Sequence, residues 1–247
     1  AKAAAGKVLP RDTTAFIFAG DDVKPWPDLK EAQVVVYHSW ETSRLRIAAV
    51  DPSQHLVTFT GPSCWAFEYW EKKQRYYVEN VREALDAPGE WYLERSSGTL
   101  FYMPLPGEDM TKAEVIAPRL TTLVEFRGRP DEKQFVAHVT LRGLTFCHED
   151  WTLAPQGHSD PQAVVTAPAA LVADGARHCA IERCEVSHVG DYAIWLRRGC
   201  KDCRLVQNRI CDMGVGGIRI GEASMAPTDE AESSRNTVDN NHISDSG

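Results

Sequence analysis

The chain has 247 residues, of which 43% are hydrophobic and 25% are charged, and its formal net charge is −8. Such a composition is ordinary for a globular protein, and this length has room for one large domain or two modest ones. The acidic balance and the lack of a Lys/Arg cluster argue against nucleic acid as a partner. No run approaches the roughly 18 to 20 apolar residues of a membrane span, so none is predicted.

The first residues carry no targeting signal. Ala1–Gly6 lacks the apolar core of a signal peptide, and the chain has no initiator Met. We therefore expect a mature form or a fragment of a longer protein.

Up to residue 135, short runs with β character alternate with Pro and Gly turns. This pattern predicts a mainly antiparallel β module over 1–135. Within it, Val78–Leu85 has a helical pattern that stops at Pro88, which predicts a short helix near 78–85. The predicted strands are Gln33–Tyr37, Leu45–Ile47, His55–Thr60, Glu90–Leu93, Thr99–Met103 and Glu114–Ile116.

From residue 136, one strand-turn pattern recurs four times. The copies begin at Leu141, Ile181, Leu205 and Val238, each with an apolar residue at its sixth position and His or Asp at its eighth. Repeats too short to bury their own apolar face are typical of solenoids, and strand periodicity broken by Asn and Gly excludes helical repeats. We therefore predict an all-β fold, with a right-handed parallel β-helix of the pectate-lyase type over 136–247.

Two details refine this prediction. Asn208 and Asn241 share the fourth position of their repeats, which predicts a stacked amide ladder inside a turn. The sequence stops at Ser244–Gly247, in mid-repeat and without a polar cap, so we expect further repeats in the complete protein.

The cysteines do not predict a metal site. Cys200 and Cys203 have the spacing of half a zinc site, but a second such pair is missing. We expect several of these thiols to fill interior and turn positions of the repeats, and we predict no cofactor. The seven cysteines are Cys64, Cys147, Cys179, Cys184, Cys200, Cys203 and Cys211.

The eighth position of the repeats predicts a column of His148, His188, Asp212 and Asp245. Equivalent positions on neighbouring parallel strands lie about 4.8 Å apart. That spacing suits the separation of about 5 to 5.5 Å between the two carboxyl groups of retaining glycosidases. Asp212 and Asp245 are therefore the candidate catalytic pair. The alternative is structural, because Asp in an Asp-x-Gly turn commonly caps the following amides.

A second strand of the repeat supplies candidate substrate-binding residues. Tyr192–Leu196 matches Gly216–Ile220, and period-2 alternation places Trp195 and Arg219 on one outer surface. Trp195 is suited to stacking on a sugar ring, and Arg219 to binding a carboxylate or hydroxyl group. Each has a plain surface role as its alternative. The full set of candidates is His148, His188, Asp191, Trp195, Arg219 and Glu222, and two loops, His148–Asp150 and His158–Asp160, carry further acids.

Several stretches resemble a known group of enzymes. Arg75–Glu94 followed by Gly98–Pro104 is the most specific of them, and it is joined by Val139–Phe146, Gly190–Gly199 and Cys211–Gly221. Together they resemble right-handed parallel β-helix glycosidases of the group that contains glycoside hydrolase family 141. The activities of that group include α-L-fucosidase and xylanase.

The resemblance implies a β-helix with a β-rich module inserted near its N-terminal end. It implies a plant-type oligo- or polysaccharide substrate, and a catalytic pair of Asp residues best matched by Asp212 and Asp245. It also implies a secreted or periplasmic protein, although this numbering has no signal peptide.

Two other functions stay open. A polysaccharide lyase or epimerase acting on uronic acids would recruit Arg219, His188 and His148. A non-catalytic carbohydrate-binding solenoid would use the acids only as turn formers. The sugar, its linkage and the oligomeric state are not determined by the sequence.

Overall fold

The structure is a computed structural model, and it describes residues 12–247. The Ala1–Gly6 segment discussed above lies outside the described residues. Among residues 12–247, no helix is long and apolar enough to cross a membrane. The strands of this part of the chain are β1 Ala15–Ile17, β2 Gln33–Tyr37, β3 Thr42–Asp51, β4 Leu56–Phe59, β5 Tyr76–Glu79, β6 Trp91–Glu94, β7 Thr99–Tyr102, β8 Val124–Arg127, β9 Val136–Ala137, β10 Thr140–Arg142, β11 Thr145–Glu149, β12 Ala169–Asp174, β13 Ala176–Arg177, β14 Ala180–Glu182, β15 Glu185–Val189, β16 Tyr192–Leu196, β17 Arg204–Val206, β18 Arg209–Met213, β19 Ile218–Ile220, β20 Thr237–Asp239 and β21 His242–Ser246.

The chain divides into two compact units. Unit 1 contains the described residues up to Glu114 together with Leu153–Val165, and unit 2 contains Val115–Thr152 and Thr166–Gly247. Each unit has its own hydrophobic core.

Unit 1 contains an antiparallel sheet in the order β1-β4-β3-β2-β5 and the hairpin β6–β7. In β2, the run Val34–Val36 is buried, and in β3 Leu45 and Ile47 alternate with more exposed neighbours. Because side chains of a strand point alternately to opposite faces, this alternation means that β3 packs one face on the core.

The segment predicted to be a helix near 78–85 is not an α-helix. Its first residues belong to strand β5, which pairs with β2, and Arg82–Ala84 forms a single 3-10 turn. The β-branched and aromatic residues Tyr76–Val78 fit a half-buried sheet better than a helix, and pairing with β2 decides between the two. Residues 114–116, predicted as a strand, are also outside any strand, and Val115 and Ile116 are exposed.

Unit 2 pairs the copies of the repeat in parallel and in register. Ile181 lies between Leu141 and Leu205, and Leu205 lies next to Val238. The strands that directly follow β10, β14, β17 and β20 form the sheet β11-β15-β18-β21. Strands Tyr192–Leu196 and Ile218–Ile220 belong to a third sheet, in the order β19-β16-β12-β8. The alignment of the four copies, made from sequence, is therefore the pairing that the structure shows.

The prediction of a single right-handed parallel β-helix with an inserted module is wrong, although the all-β content is confirmed. The strands of residues 12–247 are distributed over six separate sheets: three parallel sheets of four strands, one parallel pair, and antiparallel sheets of five and two strands. A repeated pattern determines which residues of successive copies pair. It does not determine how many sheets the paired strands form, which depends on the turns between them.

The predicted amide ladder is confirmed. The Asn208 side chain is buried, donates from Nδ2 to Ile181 O at 2.9 Å and accepts the backbone N–H of Cys184 at 2.9 Å. Asn241 repeats the arrangement one copy later, donating to Leu205 O at 2.8 Å and accepting from Asn208 N at 2.9 Å. These side chains satisfy backbone groups that the turn leaves without a strand partner.

Five of the cysteines fill interior positions, as expected from the repeat. Cys179, Cys184, Cys200 and Cys203 belong to the core cluster of unit 2, and Cys211 is also buried. All seven cysteines, which lie in the described part of the chain, are free thiols. No group of three or more His, Cys, Asp or Glu side chains among residues 12–247 is arranged to hold a metal ion.

We expect Asn208→Ala to lower the free energy of unfolding by about 2 to 4 kcal/mol, because it leaves the buried Cys184 N–H and Ile181 C=O without partners. Urea denaturation measures the change. Asn240→Ala is the matched control, since Asn240 is exposed on the adjacent copy, and its left-handed backbone, with φ of 51°, should make the loss about 1 kcal/mol. Equal losses in the two variants would contradict the ladder's contribution.

Candidate functional site

The predicted column occupies one corner of the repeats, at the end of the sheet β11-β15-β18-β21. His148, His188, Asp212 and Asp245 all have a left-handed backbone, with φ of 62°, 53°, 53° and 55°. This conformation is uncommon for residues other than Gly, Asn and Asp. It interrupts the strand alternation: His188 and Asp212 are exposed, while the ninth residues of the same copies, Val189 and Met213, return to the core.

Three members of the column are in contact. The rings of His148 and His188 are stacked, with centroids 5.1 Å apart and planes 6° apart. His188 Nδ1 lies 2.5 Å from Asp212 Oδ2, and both side chains are more than half exposed. Asp245 occupies the same position on the next strand, where its Oδ2 accepts a hydrogen bond from Ser244 Oγ at 3.1 Å.

A second corner of the same repeats shows what is particular to this column. His138, His178, Asp202 and Arg235 also have left-handed backbones, and the two His rings are stacked with centroids 5.3 Å apart. There the acid is followed by a base, and Arg235 donates two hydrogen bonds of 2.8 Å to Asp202. At the first corner the acid is followed by another acid. Backbone geometry explains the corner, but it does not explain why an acid, Asp245, follows Asp212 where the second corner has Arg235.

The outer face of β16 and β19 brings Trp195 and Arg219 together, as the strand alignment predicts. Their backbones are paired, and Arg219 Cζ lies 3.8 Å from a ring centroid of Trp195 and 5.6 Å from that of Tyr192. Trp195 is buried and donates from Nε1 to Gly221 O at 2.7 Å. The guanidinium group covers the indole, so in this arrangement Arg219 is the group presented to a ligand.

Glu222 follows β19 and is exposed. It contributes to the field around Arg197, whose pKa is raised mainly by its hydrogen bonds to Asp174 and further by the charge of Glu222.

Asp191, a second-choice acid of the sequence, lies in a buried pair with Glu149. Their exposed fractions are 1% and 3%. Burial, then the charge of Asp191, raises the pKa of Glu149 to about 8, and burial raises the pKa of Asp191 to about 6. Gly190 N donates to Glu149 Oε2 at 2.8 Å, whereas Glu149 Oε1 and both Asp191 oxygens have no hydrogen-bond partner among the described residues. A proton held between the two carboxyl groups is the simplest way to satisfy them.

Sequence reasoning placed Glu149 in a loop, and the structure places it at the end of β11. It pairs with Val189, which in turn pairs with Met213, and Met213 pairs with Ser246, so a buried carboxyl group stands next to two apolar residues of the core. A Glu where the next two copies have Val and Met is the signal by which Glu149 was recognisable in the aligned copies.

The chain resembles one solved structure described as "Glycoside hydrolase". The TM-score is 0.73 and the identity is 22%, and the match covers 89% of this chain and 45% of the other. The chain thus spans less than half the length of that structure, and the likeness concerns the fold. No protein-family model and no curated protein matches the chain.

We expect Glu149→Gln to stabilise the protein at pH 8. An acid whose pKa is raised by folding favours the native state at low pH, and that contribution is lost as the pH rises from the unfolded value of about 4 through the folded value. The free energy of unfolding of the variant should therefore exceed that of the wild type by on the order of 2 kcal/mol at pH 8, and by little at pH 4. Urea denaturation at both pH values measures the gain, with the exposed Asp239→Asn as control. A gain independent of pH would contradict the protonated pair.

Proposed function

We propose that the chain is part of a retaining glycoside hydrolase that acts on a plant-type polysaccharide or on its fucoside or xyloside side chains. The observation that carries this proposal is the column at the first corner. Asp212 and Asp245 hold equivalent positions on hydrogen-bonded parallel strands, with exposed side chains, and neither Arg nor Lys occupies this position in the four copies. Likeness of fold to a glycoside hydrolase supports the same reaction class.

Strand spacing supports the retaining mechanism. Neighbouring parallel strands lie about 4.8 Å apart, close to the separation of about 5 to 5.5 Å at which one carboxylate reaches the anomeric carbon and the other the leaving oxygen. An inverting pair needs a wider gap that holds a water molecule.

The contacts favour one assignment of roles. His188 fixes the direction of the Asp212 carboxylate, so Asp212 attacks the anomeric carbon and forms a glycosyl ester. Asp245 gives its proton to the glycosidic oxygen as that bond breaks. It then removes a proton from water, which hydrolyses the ester and releases Asp212. His148 supports His188 by stacking.

Arg219 is proposed to bind a hydroxyl or carboxylate group of the substrate. It is held against Trp195 and Tyr192, and its Nη1 donates to Ala167 O at 3.4 Å, which limits its rotamers. The buried Asp191 is proposed to support the turn that leads into β16 rather than to touch the sugar.

We also propose that the protein belongs to glycoside hydrolase family 141, that its substrate is a fucoside or xyloside, and that it is secreted or periplasmic.

We expect Asp212→Asn to lower kcat by about 10³-fold or more, and Asp245→Asn by about 10²- to 10⁴-fold. The assays are hydrolysis of aryl α-L-fucosides and β-D-xylosides and of xylan, and ¹H NMR of the first product reports whether the anomeric configuration is retained. The matched control is Asp202→Asn, which changes the equivalent acid of the second corner and should keep full turnover.

Three results would contradict the mechanism. One is full turnover in both acid variants, and another is inversion at the anomeric carbon. The third is an unsaturated product that absorbs in the ultraviolet, which would indicate a lyase acting on uronic acids.

A further inference from the structure

Unit 1 carries an exposed cluster of aromatic side chains that the proposed reaction does not use. Trp40 lies in the turn between β2 and β3, and Trp65, Tyr69 and Trp70 lie in the loop between β4 and β5. The rings contact one another, with centroid distances of 4.9 Å for Trp40–Trp70, 5.6 Å for Trp40–Trp65 and 4.5 Å for Tyr69–Trp70. Trp40 and Trp70 are each 50% exposed. We refer to these four residues as the aromatic cluster.

The cluster is held in place from below. The indole N–H groups of Trp40 and Trp65 both donate to Pro161 O, at 3.3 Å and 3.1 Å. Ser159 Oγ accepts from Cys64 N at 2.8 Å, next to Trp65 in the chain. Rings fixed in this way lose little conformational entropy when a ligand covers them.

Polar groups without partners flank Trp40 in the same turn. The Glu41 side chain is 3% exposed, and its Oε2, like Ser39 Oγ, has no hydrogen-bond partner among the described residues. Its other oxygen, Oε1, accepts from Ser43 Oγ at 3.4 Å. Burial, and to a smaller extent the charge of Asp160, raises the pKa of Glu41 to about 7 against the lowering effect of the Ser43 hydrogen bond. Such buried groups are costly unless a proton satisfies them, which favours the neutral form of Glu41.

The charge around the cluster favours a neutral occupant. The loop 61–74 carries Glu68 and Glu71 against Lys72 and Lys73, so its formal charges cancel. An anionic membrane or a strongly charged partner gains nothing from such a surface. A sugar offers apolar C–H faces to aromatic rings, which matches the half-exposed rings of Trp40 and Trp70.

We propose that the aromatic cluster binds a neutral oligosaccharide on its exposed rings, with the buried Glu41, which accepts from Ser43 Oγ, holding the turn that presents Trp40. The choice of a carbohydrate rests in part on the proposed function. The cluster lies in unit 1, whereas Asp212 and Asp245 lie in unit 2. It holds a glycan chain without cleaving it.

The experiment measures binding of xylohexaose and cellohexaose to the whole protein by calorimetry, in an Asp212→Asn, Asp245→Asn background that prevents turnover. At least one hexasaccharide is expected to bind, and Trp40→Ala or Trp70→Ala to weaken it roughly tenfold. Trp70→Phe keeps a ring and should lose less than Trp70→Ala. Glu41→Gln, which alters only the carboxyl group, should weaken binding about fivefold.

The matched control is Trp91→Ala. Trp91 belongs to the same unit and is 64% exposed, but it lies on the β6–β7 hairpin and makes no ring contact with the cluster. Thermal unfolding of each variant verifies that the fold is kept, and binding is compared only among folded variants. Trp70→Phe and Glu41→Gln keep the test decisive if an alanine variant does not fold.

Several results would overturn the proposal. One is that neither hexasaccharide binds, and another is that Trp91→Ala loses as much affinity as the cluster variants. A third is unchanged affinity in Trp70→Ala. If Trp70→Ala does not fold, unchanged affinity in both Trp70→Phe and Glu41→Gln has the same meaning. Sedimentation that shows a dimer dissociated by Trp70→Ala would identify a second copy of the chain as the occupant instead. Binding that depends on Trp70 in a protein without hydrolytic activity would leave this inference standing and remove the proposed function. Hydrolysis of aryl glycosides without such binding would do the reverse.

Discussion

In-register pairing of parallel strands is the constraint on which unit 2 depends. The backbone groups of each strand are satisfied by the strands of the copies on either side, so each position must accept the residue stacked against it. Leu205 meets Ile181 and Val238 in this way. The constraint is tightest at Gly214, where an added Cβ would lie 2.2 Å from Gly190 O. A substitution there must move the neighbouring copy, because the obstacle is backbone.

The same pairing turns the corners into columns, and the chain uses two corners differently. Both have left-handed backbones and a stacked pair of His rings. Asp202 is neutralised by Arg235, which makes that corner an exposed ion pair. Asp212 contacts His188 and is followed by Asp245, in the place that Arg235 holds at the other corner. This difference between two otherwise similar corners supports a functional role for the acid pair.

Buried carboxyl groups occur in both units, and in each case they break an otherwise simple pattern. Glu149 is buried next to the apolar Val189 and accepts the Gly190 N–H, beside the turn that leads into β16. Glu41 lies in a turn that carries an exposed Trp. Burial raises both pKa values, so each carboxyl group is easily protonated near neutral pH. The molecule thus keeps polar groups where apolar ones would stabilise it more.

The sequence by itself determined the all-β class, the register of the four copies, the amide ladder of Asn208 and Asn241, and the corner column. These features depend on residue type at fixed spacing, and parallel pairing turns equal spacing into contact. Tertiary structure alone decided the number of sheets, the 3-10 turn in place of a helix at 82–84, and the pairing of Glu149 with Asp191. It also gathered Trp40 with Trp70. Those outcomes depend on burial and on contacts between segments far apart in the chain, which local pattern does not record.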